Sequence, residues 1–136
     1  MNKNKKAIIN IAITAVFASL IALMTSQIKM PTGINDGYLH FGDCMIYLAA
    51  CTLPLPYALI AASVGGATAD ILAGAAVWAI PTAIIKAINA LPFALIYKFN
   101  LTKSPEKILN KQTAFMPLAS GFITIFGYFI AEGLMY

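Results

Sequence analysis

Long apolar runs separated by short polar stretches dominate this chain. A helix needs about 20 apolar residues to cross a membrane, and five runs approach or reach that length. We place these runs, within a single domain, at residues 7–25, 41–55, 57–74, 81–98 and 113–136. The pattern predicts an all-α fold, an integral membrane helical bundle with five spans.

Prolines and lysines mark the limits of these spans. Leu53-Pro54-Leu55-Pro56 separates the second span from the third, and Pro81 is a favourable first-turn proline for the fourth. Lys3, Lys5 and Lys6 precede the first run, as the basic residues of a signal peptide do. This run is long for a signal peptide and no clear small-x-small cleavage motif follows it, so we expect a retained span.

Composition supports lipid as the solvent. The chain is 60% hydrophobic and 10% charged, whereas soluble domains are about 25% charged. The net charge of +4 comes from lysines, with no arginine, which fits membrane loops better than a nucleic-acid surface. Cys44 and Cys51 are interpreted as small apolar residues, and we expect no cofactor and no metal site. The sequence lacks the phosphate-binding loop of ATPases, so any energy for transport comes from a gradient or a partner.

Lysine distribution predicts the orientation, because cytoplasmic loops are enriched in lysine. With alternating spans, one lysine, Lys29, falls in the loops of one side. Seven fall on the other side: Lys3, Lys5, Lys6, Lys98, Lys103, Lys107 and Lys111. We therefore expect a multi-pass protein of the cell membrane with a cytoplasmic N-terminus. Residues 34–43 and the loop at residues 73–80 then face outward.

Three ionisable residues lie near the outward ends of the spans. Asp70 is near the carboxyl end of the third span and Lys86 near the amino end of the fourth, and both oppose the helix dipole. A charge at the bilayer centre costs about 2.5–3.5 kcal/mol. Pairing with each other, with Asp43 or with a ligand would compensate. The alternatives are a purely structural ion pair, a lysine that extends to the surface, and a helix-capping role for Asp43.

Aromatic and hydrogen-bonding residues gather on the same outward side. The candidate substrate-binding residues are Tyr38, His40, Asp43, Asp70, Trp78, Lys86, Asn89 and Glu132. This chemistry suits a small, flat, polar molecule. Tyr38, His40 and Trp78 are also typical of membrane interfaces, and Asn35-Asp36-Gly37 predicts a turn. No nucleophile with a partnering base is evident, so we do not expect an enzyme.

Small residues recur at four-residue spacing in two spans. The third span carries Ala61, Gly65 and Ala69 in one row, and Ala62 and Gly66 in another. Such rows let helix backbones approach closely in lipid, which predicts packing within the bundle. In the first span, Ala18 and Ala22 form a similar pair, which either packs internally or docks a partner helix.

Three blocks of sequence resemble a known family. They are Gly37–Asp43, Gly65–Gly74 and the stretch Pro81–Lys86. In this order they look like the substrate-binding S components of energy-coupling factor (ECF) transporters, near the branch for hydroxymethylpyrimidine, pyridoxine-like and riboflavin-type compounds. The resemblance covers about residues 7–136.

The resemblance implies a six-helix membrane protein that captures a vitamin or vitamin precursor at its extracellular face. It also implies ATP-driven uptake with a transmembrane coupling subunit and two ATPase subunits, in the manner of an ABC importer. Ala18 and Ala22 match the family's Ala-xxx-Ala motif for contact with the coupling subunit. This sequence carries five spans, so the sixth is expected to be missing. The alternatives are a stand-alone small membrane facilitator or channel, or a membrane assembly protein without a transport role.

Overall fold

The computed structural model describes residues 2–31, 38–103 and 111–136, with some residues described by their backbone alone. In chain order the elements are α1 (Lys3–Ser26), β1 (Lys29–Pro31), β2 (Tyr38–His40), α2 (Gly42–Thr52), α3 (Leu55–Leu72), a 3-10 turn (Ala76–Trp78), α4 (Ala79–Lys103) and α5 (Lys111–Met135). The two strands pair antiparallel, with Met30 opposite Leu39. The predicted turn at Asn35-Asp36-Gly37 lies outside the described residues.

All five predicted apolar segments form helices, which confirms the helical membrane class. Within the described part of the chain, four regions are long and apolar enough to cross a bilayer: Lys3–Ser26, Leu55–Leu72, Ala76–Phe99 and Ala114–Met135. The second segment is shorter than predicted, because α2 ends at Thr52 and the next helix begins at Leu55, with Pro54 as its N-cap. Its 11 residues extend about 16 Å, roughly half of a bilayer's apolar thickness. The short hairpin between α1 and α2 was not predicted.

Close helix contacts are built on glycines. A Cβ added to Gly65 of α3 would lie 2.7 Å from Cβ of Ile21 in α1. A Cβ on Gly66, the next residue, would lie 2.8 Å from Cγ of Lys86 in α4. The small-residue rows of α3 therefore pack inside the bundle, as the spacing predicted, with one row against α1 and the other against α4.

The interior is rich in small side chains, whereas large apolar side chains face outward. The buried core comprises Ile21, Ile46, Ala49, Ala50, Leu53, Ala58, Ala61, Ala62, Ala90 and Ala94. On α5, Phe129 is 73% exposed and Ile125 is 66% exposed. This inverted distribution suits a bundle whose outer surface contacts lipid chains, because lipid imposes no penalty on exposed apolar groups.

Successive helices run in alternating directions, so that five helix segments meet at one end. The end of α1, the start of α2, the end of α3, the start of α4 and the later part of α5 all contribute residues there. The lysines that begin α1 and α5 therefore lie at the opposite end. This arrangement sets the position of the only strong charge pair described in the interior.

A candidate ligand-binding cavity at one end of the bundle

A cavity of about 300 Å³ opens where these helix ends meet. Its lining residues are Thr25, Asp70, Ala75, Trp78, Thr82, Lys86 and Tyr128. They come from α1, α3, the 3-10 turn with its approach, α4 and α5. The volume lies at the small end of the range for ligand pockets, about 300–1,000 Å³.

The end of α3 folds the chain back over this cavity. Gly74 adopts φ +79°, a left-handed conformation that is unfavourable for residues with a Cβ. The Ala75 N–H donates to the carbonyl of Asp70 at 2.8 Å, and the Gly74 N–H donates to the carbonyl of Ile71 at 3.1 Å. These two bonds form a Schellman motif, which ends the helix and satisfies its last carbonyls. The turn that follows places Trp78 in the cavity wall, near the end of α3.

Lys86 and Asp43 form a buried ion pair. The Lys86 Nζ lies 2.6 Å from Oδ1 of Asp43, and the two side chains are 3% and 27% exposed. The lysine stem lies against Gly66, where a side chain would collide with it. Lys86 therefore does not extend to the surface. Asp43 lies in the first turn of α2, where Phe41 occupies the N-cap position, and of its predicted alternatives the structure shows the ion pair.

Asp70 contributes a second carboxylate to the cavity wall. Its Oδ2 is buried and has no hydrogen-bond partner among the described residues. A buried carboxylate oxygen without a partner is unfavourable. The expected structural ion pair of Asp70 is therefore not present within the part of the chain that the structure describes.

Two aromatic rings border the same space. Trp78 and Tyr128 have ring centroids 6.0 Å apart with planes tilted by 57°. The Tyr128 hydroxyl lies 3.0 Å from the Thr82 hydroxyl, which links α5 to α4. The Lys86 Nζ is 6.0 Å from the centroid of the Tyr128 ring. Rings, hydroxyls and a carboxylate thus meet in one cavity, an arrangement that can hold a flat molecule by stacking and orient it by hydrogen bonds.

The structure brings four of the eight predicted substrate-binding residues to the cavity. Asp70, Trp78 and Lys86 line it, and Asp43 forms an ion pair with Lys86. Asn89 is fully buried one turn further along α4, and it is not among the lining residues. Both polar atoms of its side chain lack a hydrogen-bond partner among the described residues.

Of the three other predicted residues, one lies outside the cavity, and the side chains of the other two are not described. Glu132 is exposed on α5, beside Phe129 and Tyr136 and away from the lining residues. Its position one turn beyond Tyr128 puts it near the end of the helix, outside the wall. Tyr38 and His40 are described by their backbone alone in β2, so the placement of their side chains lies outside the described part of the chain.

Thr25, Thr82 and Tyr128 line the cavity although sequence reasoning did not select them. Their common signal is a hydroxyl near the outward end of an otherwise apolar helix. Hydroxyls are common in membrane helices, however, because they can bond to their own backbone, as Thr14 does to the carbonyl of Asn10 at 2.7 Å. The signal alone could not separate cavity residues from the rest.

The pair Ala18 and Ala22 packs within the chain. Ala22 is 3% exposed. The carbonyl oxygen of Ala18 would lie 2.8 Å from a Cβ on Gly65 of α3. Of the two alternatives for this pair, the structure shows internal packing. Contact between the pair and a partner helix stays a prediction, and it requires α1 to move away from α3 at this point.

A comparison of the chain with models of protein families agrees with its helical membrane architecture. The family model of the ECF-type riboflavin transporter S component matches residues 5–136. The chain belongs to this family. S components of ECF transporters are membrane proteins of transport systems, so membership agrees with the spans observed here. The resemblance of the three sequence blocks is thereby confirmed.

One curated relative is an uncharacterized protein in the gap 3′ region of Pyrococcus woesei. It is 36% identical to this chain over 66 residues, which are 48% of this chain and 44% of the relative. The chain therefore matches less than half the length of that relative. No solved structure matches the chain.

Proposed function

We propose that this S component captures a vitamin or vitamin precursor with a flat polar ring in the cavity that Trp78 and Tyr128 border. The observation that carries this proposal is the meeting of two rings with Asp70, whose Oδ2 has no partner among the described residues, in one cavity. Riboflavin-, pyridoxine- and hydroxymethylpyrimidine-like compounds all provide a ring that stacks and polar groups on its edge. Uptake would then be driven by a coupling subunit and two ATPases, since the sequence has no phosphate-binding loop.

Charge distribution supports an extracellular opening for this cavity. Lys3, Lys5 and Lys6 begin α1, Lys98 lies in the later part of α4, and Lys111 begins α5. All five lie toward the end of the bundle opposite to the cavity. Because lysines favour the cytoplasmic side, the cavity faces outward and can take its ligand from the medium.

The chain offers its own reporter of binding. Trp78 is its single tryptophan and lines the cavity. We expect titration of the purified protein in detergent with pyridoxine or hydroxymethylpyrimidine to change tryptophan fluorescence saturably, if either is the ligand. Riboflavin absorbs in the relevant range, so its binding is measured by thermal shift. At about 100 times its dissociation constant, a ligand specific for the folded state adds about 2.7 kcal/mol of stability.

Asp70→Asn and Glu132→Gln form a matched pair for this experiment. Each removes one carboxylate charge with little change in size, one inside the cavity wall and one outside it. Binding weakened by Asp70→Asn and unchanged by Glu132→Gln supports the cavity. Equal effects of the two variants, or no stabilisation by any vitamin or precursor tested, contradict the proposal.

A further inference from the structure

We infer that this cavity selects against anionic forms of its ligand, so that it takes the neutral or cationic vitamin and rejects its phosphate ester or carboxylate. This inference rests on the proposed function and adds the charge class of the substrate. It follows from how the charged groups around the cavity are paired.

Among the described lining residues, the one cation, Lys86, is already paired with a carboxylate. Lys86 is 2% exposed, and its Nζ is 2.6 Å from the carboxylate of Asp43. An ammonium held this closely by a carboxylate has little positive potential left for a ligand. A phosphate or carboxylate group entering the cavity would have to displace Asp43 before it could pair with Lys86. The displaced carboxylate would then need a new partner.

The remaining charge in the wall is negative. Asp70 lines the cavity, and its Oδ2 has no partner among the described residues. Counting the charged side chains that the structure describes here, two carboxylates face one ammonium. This carboxylate attracts a cation or an N–H donor and repels an anion, because opposite charges attract and like charges repel.

The neutral polar groups of the wall can bind either class. Thr82 and Tyr128 share one hydrogen bond, and a hydroxyl can both donate and accept hydrogen bonds. The Trp78 indole N–H is a further donor. These uncharged groups orient ring substituents without changing the net negative charge of the described wall residues. Asp70 therefore decides the selection by charge.

The test compares ligands that differ by one phosphate group. Riboflavin is paired with flavin mononucleotide, pyridoxine with pyridoxine 5′-phosphate, and hydroxymethylpyrimidine with its monophosphate. Dissociation constants for the full chain in detergent at pH 7 are measured by calorimetry. In the pair that binds, we expect the phosphate ester to bind at least about tenfold more weakly, a difference of about 1.4 kcal/mol.

Two variants distinguish selection of the ligand by charge from exclusion of the ligand by size. Asp70→Asn changes the charge of the wall and hardly changes its volume, so it should reduce the preference for the unphosphorylated form by about fivefold or more. Glu132→Gln, which lies outside the cavity, should leave the preference unchanged. This combination supports the inference.

Three results overturn it. Equal or tighter binding of the phosphate ester to the unmodified protein contradicts selection against anions. A preference that survives Asp70→Asn shows exclusion by size in place of charge. In both of these cases a vitamin binds, so the proposed function stands. If no member of any pair binds, the proposed function fails and the inference fails with it.

Discussion

Lys86 shows how a single charged residue is accommodated inside an apolar bundle. Its stem packs on Gly66, its ammonium reaches Asp43, and the Tyr128 ring lies beyond it. The helix dipole alone would disfavour a cation near the start of α4. The pairing with Asp43 in α2 outweighs this effect, because attraction between close opposite charges is strong where little water penetrates.

Breaking this ion pair from one side should be costly. Asp43→Asn leaves a buried ammonium without its counter-charge, and we expect a loss of about 3 kcal/mol of unfolding free energy, at the lower end of values for buried pairs. Titration with a denaturing detergent measures the loss. The double variant Asp43→Asn/Lys86→Met removes both charges and should be more stable than Asp43→Asn alone. If the two substitutions simply add, the pair does not stabilise the fold as described.

The residues of the cavity were only partly predictable. Asp43, Asp70, Trp78 and Lys86 were selected because charge and indole rings are uncommon in apolar spans, and the structure brings them together. Glu132 carries the same signal but lies one turn beyond Tyr128, near the end of α5, where its side chain is exposed. Hydropathy predicts the span, but it determines neither the rotation of the helix nor which of its turns border a cavity. Both decide whether a polar residue enters the cavity.

At the scale of elements, glycines set how closely α3 approaches its neighbours. Gly65 meets α1, and Gly66 meets α4 below the cavity. Gly127 of α5 likewise lies against Ile85, where an added Cβ would be 2.9 Å from Cγ1. These contacts bring four helices together, and they hold Thr82 and Lys86 next to the end of α3.

Gly66→Ala should therefore separate α3 from α4 at the cavity. The new methyl would lie 2.8 Å from Cγ of Lys86 and 3.1 Å from Cγ2 of Thr82. We expect a loss of about 1–3 kcal/mol of stability, as for other overpacked interiors, together with weaker ligand binding. Thermal unfolding and calorimetry measure the two effects.

Gly121→Ala is the control for this substitution. Gly121 also lies within a helix, and an added Cβ there has no neighbour within 4 Å. Since alanine favours helices over glycine by about 1 kcal/mol, this variant should be neutral or slightly stabilising. A Gly66→Ala protein as stable as Gly121→Ala would show that the α3–α4 contact tolerates extra volume.

At the scale of the molecule, the cavity and the clustered lysines lie at opposite ends of the bundle. The proposed function assigns the cavity end to the side that receives the ligand and the lysine end to the cytoplasm. Thiol labelling tests the orientation directly. Ala76 is exposed in the turn at the cavity end, and Asn4 is exposed at the lysine end.

In a background with Cys44→Ser and Cys51→Ala, we expect a membrane-impermeant maleimide to label Ala76→Cys in intact cells and not Asn4→Cys. The reason is that, in the proposed orientation, the lysine-rich end lies in the cytoplasm. After the cells are opened, both positions should react, which serves as the control. Labelling of Asn4→Cys in intact cells would reverse the proposed orientation.

The sequence by itself determined that the chain is a helical membrane protein and which family it resembles. Span length and apolar content fix these features because the bilayer requires long helices with satisfied backbones. The small-residue rows of α3 also predicted close packing, and the structure confirms it. The sequence did not predict the short length of α2. Apolar residues continue through Leu53, although α2 ends at Thr52 and the next helix begins at Leu55.

Only the tertiary structure decided which polar groups meet. The Asp43–Lys86 pair joins residues 43 positions apart, and Tyr128 reaches Thr82 from a helix 46 positions away. Such contacts depend on helix rotation and on the close approach permitted at Gly66. The left-handed turn at Gly74 then carries Trp78 over the end of α3. Hydropathy carries no information about these distances, because lipid solvates every apolar face of a helix equally well.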